Sequence, residues 1–167
     1  MRSPGTVVCV TADDWLELLQ QTATEIQRSL DTFDGWTEGG DRPDQYLLDQ
    51  VADSAALTVL NSADATVLSE ESGLVSGTTS ETVIIDPVDG STNASRRIPH
   101  YCTSLCVVDG QGPLVGLVLN LANGEQFQAV RGQGAFLDGE QIQPTQCALL
   151  SEAIIGIAGN LSLIHIS

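Results

Sequence analysis

The stretch Thr82-Val-Ile-Ile-Asp-Pro-Val-Asp-Gly-Ser-Thr-Asn93 joins an apolar run to a group of polar residues. The apolar run predicts a buried strand that ends at Asp86. Pro87 restricts the backbone of the turn that follows, and Asp89 lies across that turn from Asp86, where both carboxylates can converge. The last three residues are good caps for a short helix. The stretch therefore predicts a strand, a turn with two carboxylates and a helix amino terminus in succession.

These features together predict a magnesium and phosphate site. Magnesium prefers oxygen ligands such as paired carboxylates. Gly90 allows the backbone to approach a ligand closely, and the N–H groups and positive end of a helix favour a phosphate. Glu70 follows another predicted strand, Thr66–Ser69, and supplies a third carboxylate. Because like charges raise one another's pKa, three ionised carboxylates need a cation to share one site.

Two other interpretations of the stretch are open. The first is a plain Asp-Pro turn followed by a capped helix, which is common in proteins. The second is a calcium loop of the EF-hand type, which needs acidic residues at alternate positions and a distant glutamate. Asp86 and Asp89 are out of phase with that pattern, so the calcium loop is disfavoured.

The rest of the chain predicts helices first and strands afterwards, which indicates a layered α+β domain. Apolar residues recur at helical spacing in two segments, and Thr11 with Asp14 resembles a capping pair. Turn residues, among them an Asn-Gly pair, separate the later apolar runs, and a glycine-rich segment from Gly132 to Gly139 continues the hairpin pattern. The predicted helices cover about Asp13–Leu30 and Pro43–Leu60, and the predicted later strands cover Tyr101–Val108, Leu114–Leu121, Glu125–Val130 and Ala153–Ala158.

Composition excludes several classes of partner. The chain has 22 acidic and 6 basic residues and a formal net charge of −16, which disfavours binding to nucleic acid or to an anionic membrane. No apolar run reaches the length of a membrane span. The 4 cysteines form no Cys-x-x-Cys pair and only 2 histidines occur, so a zinc site is poorly supported. We expect a soluble protein of the reducing cytoplasm.

The stretches Leu68–Gly73, Val83–Asn93 and Arg97–Pro99 resemble the inositol monophosphatase family in order and spacing, and Gly132–Phe136 with Gly139 is similar to a later hairpin of that family. The resemblance implies a layered αβαβα sugar-phosphatase fold, of which residues 1–160 hold the amino-terminal α+β half. It also implies a homodimer as a possible assembly of the full-length protein. Residues 161–167 are interpreted as a non-native tail, with a short terminal strand as the alternative.

The resemblance further implies a set of site residues and two or three magnesium ions. The implied metal ligands are Glu70, Asp86, Asp89 and the backbone carbonyl of Val88. The implied substrate-binding residues are Asp89, Gly90, Ser91 and Thr92.

The implied mechanism is attack by a metal-bound water without a covalent intermediate. Glu70 and Ser91 would position the water, and Asp53 would support the Ser91 hydroxyl from the second helix. Asp49, which shares a helix face with Asp53, is the competing choice for that role.

The implied reaction is Mg²⁺-dependent hydrolysis of a small phosphate monoester, with inositol monophosphate as the preferred substrate. Histidinol phosphate, fructose bisphosphate and adenosine bisphosphate are alternatives, because Ala94-Ser-Arg-Arg97 replaces the aromatic residue and histidine typical of the family there. Either arginine could bind a second phosphate or a substrate carboxylate, and surface charge is the competing interpretation. An inactive metal-binding fragment is the remaining alternative, since the family places a further aspartate ligand in a carboxy-terminal half.

Overall fold

The structure is a computed structural model that describes residues 11–42 and 45–155. Both predicted helices are present, as α1 (Ala12–Asp31) and α2 (Leu47–Ser62). The capping pair of α1 is confirmed: the Asp14 N–H donates to the Thr11 hydroxyl at 3.2 Å, and the Thr11 N–H donates to the Asp14 carboxylate at 3.0 Å.

Helix α2 begins later than the predicted start at Pro43, which lies outside the described residues. The backbone of Tyr46 is extended, and its N–H donates to the Asp49 carboxylate at 2.9 Å. Tyr46 also forms an antiparallel bridge with Gly39. Tyr46 therefore lies outside the helix, and the Asp49 carboxylate satisfies an N–H group that a helix terminus leaves free.

Within the part of the chain that the structure describes, eight strands form one sheet in the order β2-β1-β3-β4-β5-β6-β7-β8. Strands β1 and β3 are parallel, and every other neighbouring pair is antiparallel. The short strand β2 was not predicted, whereas the predicted glycine-rich hairpin is present as β7 and β8. The strands are β1 (Thr66–Ser69), β2 (Gly73–Val75), β3 (Thr82–Asp89), β4 (Cys102–Asp109), β5 (Gly112–Asn120), β6 (Gln126–Val130), β7 (Gly134–Leu137) and β8 (Glu140–Ile142), and the short helix α3 (Ser91–Ser95) follows β3.

Both long helices pack on one face of the sheet, and this face forms the core. Alternate residues of β3, β4 and β5 point toward the helices and are buried, as expected for a sheet covered on one side. The largest fully buried side chains include Trp15, Leu19, Ile26, Leu48, Leu60, Val83, Ile85, Leu105 and Leu117. On the opposite face of the sheet Leu68, Ile84 and Phe127 remain about two-fifths exposed, at 44%, 39% and 40%.

The prediction of a strand at Ala153–Ala158 is wrong for its described part. Residues 153–155 follow a 3₁₀ turn at Leu150–Glu152 and form no strand. Ile154 is fully exposed, so this segment has no sheet edge or core to pack against. Residues 156–158 and the predicted tail at 161–167 lie outside the described residues. Among the described helices, none is long and apolar enough to cross a membrane.

Candidate functional site

The parallel pairing of β1 and β3 brings Glu70 next to Asp86. Ser69 is in register with Ile85, and the ladder continues one residue further, because the Glu70 N–H donates to the Ile85 carbonyl at 3.0 Å. Strand β1 ends at this point, whereas β3 continues to Asp89, beyond the predicted strand end at Asp86. Glu70 and Asp86 nevertheless lie side by side on neighbouring strands. This is the placement that the sequence predicts for the two carboxylates.

A β-bulge in β3 turns Asp89 to the same side as Asp86. Asp86 is in register with Ser104, and Asp89 with Cys102, so three steps on β3 match two on β4. Paired residues in a sheet share a face. In a regular strand, residues three positions apart point to opposite faces, but the extra residue in the bulge brings both carboxylates to the same face. The bulge was not visible in the sequence, although Pro87 marks its position.

Glu70, Asp86 and Asp89, here called the strand-end carboxylates, interact electrostatically. Burial raises the pKa of Asp86 to about 7, with further increases from the negative charges of Glu70 and then Asp89, while the Val88 N–H opposes the shift. The Oδ1 atom of Asp86 is buried and has no hydrogen-bond partner. A buried carboxylate oxygen without a partner is costly, and here it faces further negative charge.

Gly90 connects the bulge to α3 in a conformation that requires glycine. Its backbone is left-handed, with φ 91° and ψ 34°, and a Cβ atom at this position would lie 3.0 Å from the His100 carbonyl oxygen. Gly90 occupies the N-cap position that was expected for Ser91–Asn93, so these polar residues lie in the first turn of α3. The N–H groups of a first turn have no partner within the helix and are suited to an anion.

The predicted metal ligand Val88 and the predicted catalytic residue Ser91 contact each other. The Ser91 hydroxyl donates to the Val88 carbonyl at 3.0 Å, and the Val88 side chain is buried. The carbonyl therefore points toward α3 and away from the core. Thr92, the remaining predicted substrate-binding residue, is exposed beside Ser91.

Asp53, which the resemblance implies as the aspartate that supports Ser91, has other hydrogen-bond partners in the structure. Both carboxylate oxygens of Asp53 accept hydrogen bonds from other hydroxyls: Oδ1 from Ser69 at 2.5 Å and Oδ2 from Ser72. Asp53 lies one helical turn beyond Asp49, and this places its carboxylate against the end of β1 instead of α3.

Asp49 is the helix aspartate that faces Ser91. Burial raises the pKa of Asp49, while the hydrogen bond from the Tyr46 N–H and the nearby Ser91 hydroxyl, which can turn toward Asp49, oppose the shift. Its Oδ1 atom is buried without a partner. The sequence offered Asp49 as the competing choice, but a predicted helix start at Pro43 placed it in the interior of the helix and not in the first turn, where it lies in the structure.

No arginine neutralises the strand-end carboxylates. Within residues 11–42 and 45–155, salt bridges join arginines to Glu25, Glu71 and Asp109 only. In the same ranges no group of three or more His, Cys, Asp or Glu side chains is arranged to hold a metal ion. The carboxylates thus converge on Asp86 without forming a closed ligand shell. A buried, unpartnered oxygen beside two further carboxylates nevertheless fits the chemistry of a divalent cation with oxygen ligands.

The chain is similar in sequence to known proteins. The family model described as "Inositol monophosphatase family" matches residues 15–162. The "Fructose-1,6-bisphosphatase/inositol-1-monophosphatase" of Thermococcus kodakarensis is 31% identical, over 78% of this chain and 54% of that protein. The "Bifunctional NADP phosphatase/NAD kinase" of Methanocaldococcus jannaschii is 29% identical, over 84% of this chain and 32% of that protein.

A solved structure matches the fold as well. The crystal structure of the extragenic suppressor protein suhB from Bartonella henselae superposes with a TM-score of 0.70 at 26% identity, over 80% of this chain and 55% of that chain. This match confirms the predicted layered α+β architecture. The chain spans about half the length, or less, of the relatives it matches.

Proposed function

This chain belongs to the inositol monophosphatase family, and from that premise we propose that it carries the metal-binding and phosphate-binding part of a Mg²⁺-dependent phosphomonoesterase. The observation that carries the proposal is the convergence of Glu70 and Asp89 on Asp86, whose Oδ1 atom is buried without a partner. Folding places three carboxyl groups together, and within the described residues no arginine forms a salt bridge with them. A protein gains from such an arrangement when a bound cation stabilises it.

In this proposal magnesium is held by the strand-end carboxylates and by the Val88 carbonyl. When bound, magnesium lowers the pKa of a coordinated water and neutralises charge on the phosphoryl group. The carbonyl becomes available if the Ser91 hydroxyl turns from Val88 to Asp49, which lies within its reach. Gly90 and the first turn of α3 bind the phosphate oxygens through N–H groups.

Asp49 and Ser91 together position the attacking water. The Ser91 hydroxyl would donate a hydrogen bond to Asp49, and its oxygen would accept a hydrogen bond from that water. Glu70 accepts the second hydrogen bond from the water on the opposite side. Asp53 takes no direct part, because both of its oxygens are occupied by serine hydroxyls.

The proposed substrate class is a small-molecule phosphate monoester, with inositol monophosphate preferred. The names of the relatives include fructose bisphosphate and NADP as well as inositol phosphate, so bisphosphates are the main competitors. Arg97 lies over the Trp36 ring at 3.8 Å, which occupies its guanidinium group. Arg96 is exposed at the end of α3 and is the arginine better placed to bind a second phosphate.

A second candidate function is metal binding without turnover. Two observations favour it for this chain alone: the described residues form no closed ligand shell, and the chain covers 54% of the first relative. In that case the remaining ligands and the residues that bind the alcohol would come from sequence outside this chain. The two candidates share the metal site and differ in phosphate release.

One assay separates the candidates. The purified chain is freed of metal with EDTA and is then incubated with one phosphate ester at a time, in the presence or absence of MgCl₂. The esters are inositol 1-phosphate, fructose 1,6-bisphosphate, NADP, histidinol phosphate and adenosine 3′,5′-bisphosphate. Bound magnesium and released inorganic phosphate are measured. We expect magnesium-dependent release that Asp89→Asn abolishes and that the exposed substitution Ser54→Ala preserves. Magnesium binding without phosphate release supports the second candidate, and unchanged turnover in Asp89→Asn contradicts the metal assignment.

A further inference from the structure

Three residues, 70–72, connect β1 to β2 and are here called the Glu70 loop. Strand β2 turns back antiparallel to β1, with Ser69 in register with Gly73, so the loop reverses the chain within a short distance. Gly73 adopts a positive φ of 71°, which permits this turn. Glu70 itself is exposed. A carboxylate on a short exposed loop needs other contacts to fix its position against Asp86.

The Ser69 hydroxyl provides the first of these contacts. Its oxygen accepts hydrogen bonds from the N–H groups of Glu71 at 3.1 Å and of Ser72 at 3.4 Å. Serine hydroxyls commonly stabilise turns by bonding backbone N–H groups two or three residues further along. Ser69 is itself buried, with 3% of its surface exposed, so the loop is attached to a fixed point at the end of β1.

Asp53 of α2 provides the second contact and joins both ends of the loop. Its carboxylate accepts hydrogen bonds from the Ser69 and Ser72 hydroxyls, which directs the lone pairs of Ser69 toward the loop amides. Asp53 is 6% exposed, so water competes little for these bonds. On the outer side of the loop, Glu71 contacts Arg42 and Gln45. Of the three loop residues, Glu71 and Ser72 are thus held by these contacts, and the Glu70 side chain is left directed toward Asp86.

From this arrangement we propose that Asp53 is a positioning residue: through Ser69 and Ser72 it fixes the Glu70 loop and thereby holds the Glu70 carboxylate against Asp86. The inference rests on the proposed function, because the position of Glu70 affects activity only if Glu70 holds a metal. It replaces the role that the sequence predicted for Asp53. Residues that orient metal ligands typically change metal affinity roughly 10- to 100-fold when they are replaced.

The first test measures the loop without metal. Amide hydrogen exchange is followed in the EDTA-treated chain for Asp53→Ala, Ser69→Ala and Ser72→Ala, with Ser54→Ala as the matched control on the same helix. Loss of the hydroxyl network should accelerate exchange at Glu71 and Ser72 roughly five- to tenfold, with exchange in α1 unchanged. Unchanged exchange in both Asp53→Ala and Ser69→Ala overturns the proposal. If these two buried substitutions prevent folding, the exchange rate at Glu71 in the milder variant Ser72→Ala decides in their place.

The second test measures Mn²⁺ affinity in the same proteins by paramagnetic resonance. We expect affinity to fall roughly 10- to 100-fold in Asp53→Ala and Ser69→Ala, to fall less in Asp53→Asn, and to stay constant in Ser54→Ala. Val107→Ala, a core change in β4, controls for general loss of stability and should not alter the affinity. An unchanged affinity in variants whose loop exchange is accelerated overturns the proposal. If the wild-type chain binds no Mn²⁺, the proposed function fails, and the exchange experiment alone decides whether Asp53 fixes the loop.

Discussion

Two aspartates at opposite ends of the sheet have opposite environments. Asp86, near the end of β3, is beside Glu70 and Asp89, and burial with their negative charge raises its pKa to about 7. Asp109, at the end of β4, accepts two hydrogen bonds from the Arg131 guanidinium, at 2.9 and 3.0 Å. Hydrogen bonding from Arg131 and from the Gln111 N–H lowers the pKa of Asp109.

The difference shows at which end of the sheet the chain itself supplies a positive charge for a carboxylate. At the Asp109 end the chain supplies the countercharge, in a planar two-bond geometry that suits a carboxylate. At the Asp86 end no arginine of the described residues forms a salt bridge with the carboxylates, although burial makes a countercharge more valuable there. Under the proposed function the Asp86 end takes its countercharge from a bound cation, and the following predictions test this contrast.

The largest expected effect is on metal affinity. Asp86→Asn should weaken Mn²⁺ binding by roughly 100-fold or more, because it replaces the carboxylate at the centre of the three with a neutral amide. Asp109→Asn, the same substitution at the other end of the sheet, should leave the affinity unchanged. Isothermal titration calorimetry on both variants measures this difference, and equal affinities would show that the metal does not bind at the strand-end carboxylates.

The second prediction concerns stability without metal as a function of pH. The folded-state pKa of Asp86, about 7, lies above the value of an unfolded aspartate, so the folded protein retains the proton more strongly. This contribution is fully present below about pH 4 and is lost as pH rises through 7. In EDTA, Asp86→Asn should therefore be more stable than wild type at pH 8 by on the order of 1 kcal/mol, after a discount for partial exposure, with little difference at pH 4.

Thermal unfolding at several pH values checks this prediction. Asp109→Asn is the matched comparison, because the lowered pKa of Asp109 gives the opposite trend. The stability that Asp109 contributes is present above about pH 4 and is lost as pH falls. Parallel pH profiles for the two variants would contradict the contrast between the two ends of the sheet.

The sequence was sufficient to place Glu70 and Asp86 each after an apolar run that forms a strand. The parallel pairing of β1 with β3, which brings the two residues together, is not specified by the apolar pattern. Asp89 was predicted to converge on the same point, but the bulge that makes this possible depends on pairing with β4. Pairing between distant strands is a tertiary feature that local pattern does not specify.

The roles of Asp49 and Asp53 show where the sequence was insufficient. Both lie on one face of α2 and both are buried, at 3% and 6% exposure, so periodicity treats them alike. Their partners differ because α2 crosses the end of β1 at one turn and approaches α3 at the preceding turn. Because α2 begins at Leu47, after the extended backbone of Tyr46, Asp49 lies in the first turn beside α3, and Asp53 lies one turn later beside β1.

The smallest expected effect is at the completed end of the sheet. Arg131→Gln removes the paired hydrogen bonds to Asp109 and weakens the contacts of this side chain with the carbonyls of Pro113 and Gly112. Because the pair is at the surface, water and salt replace much of its interaction, and we expect only a slight decrease in melting temperature, smaller still in 1 M NaCl. A decrease as large as the pH-dependent change in melting temperature caused by Asp86→Asn would mean that the Arg131 pair contributes substantially to the stability of the fold. The carboxylates at the two ends of the sheet would then have effects of similar size on stability, despite their different partners.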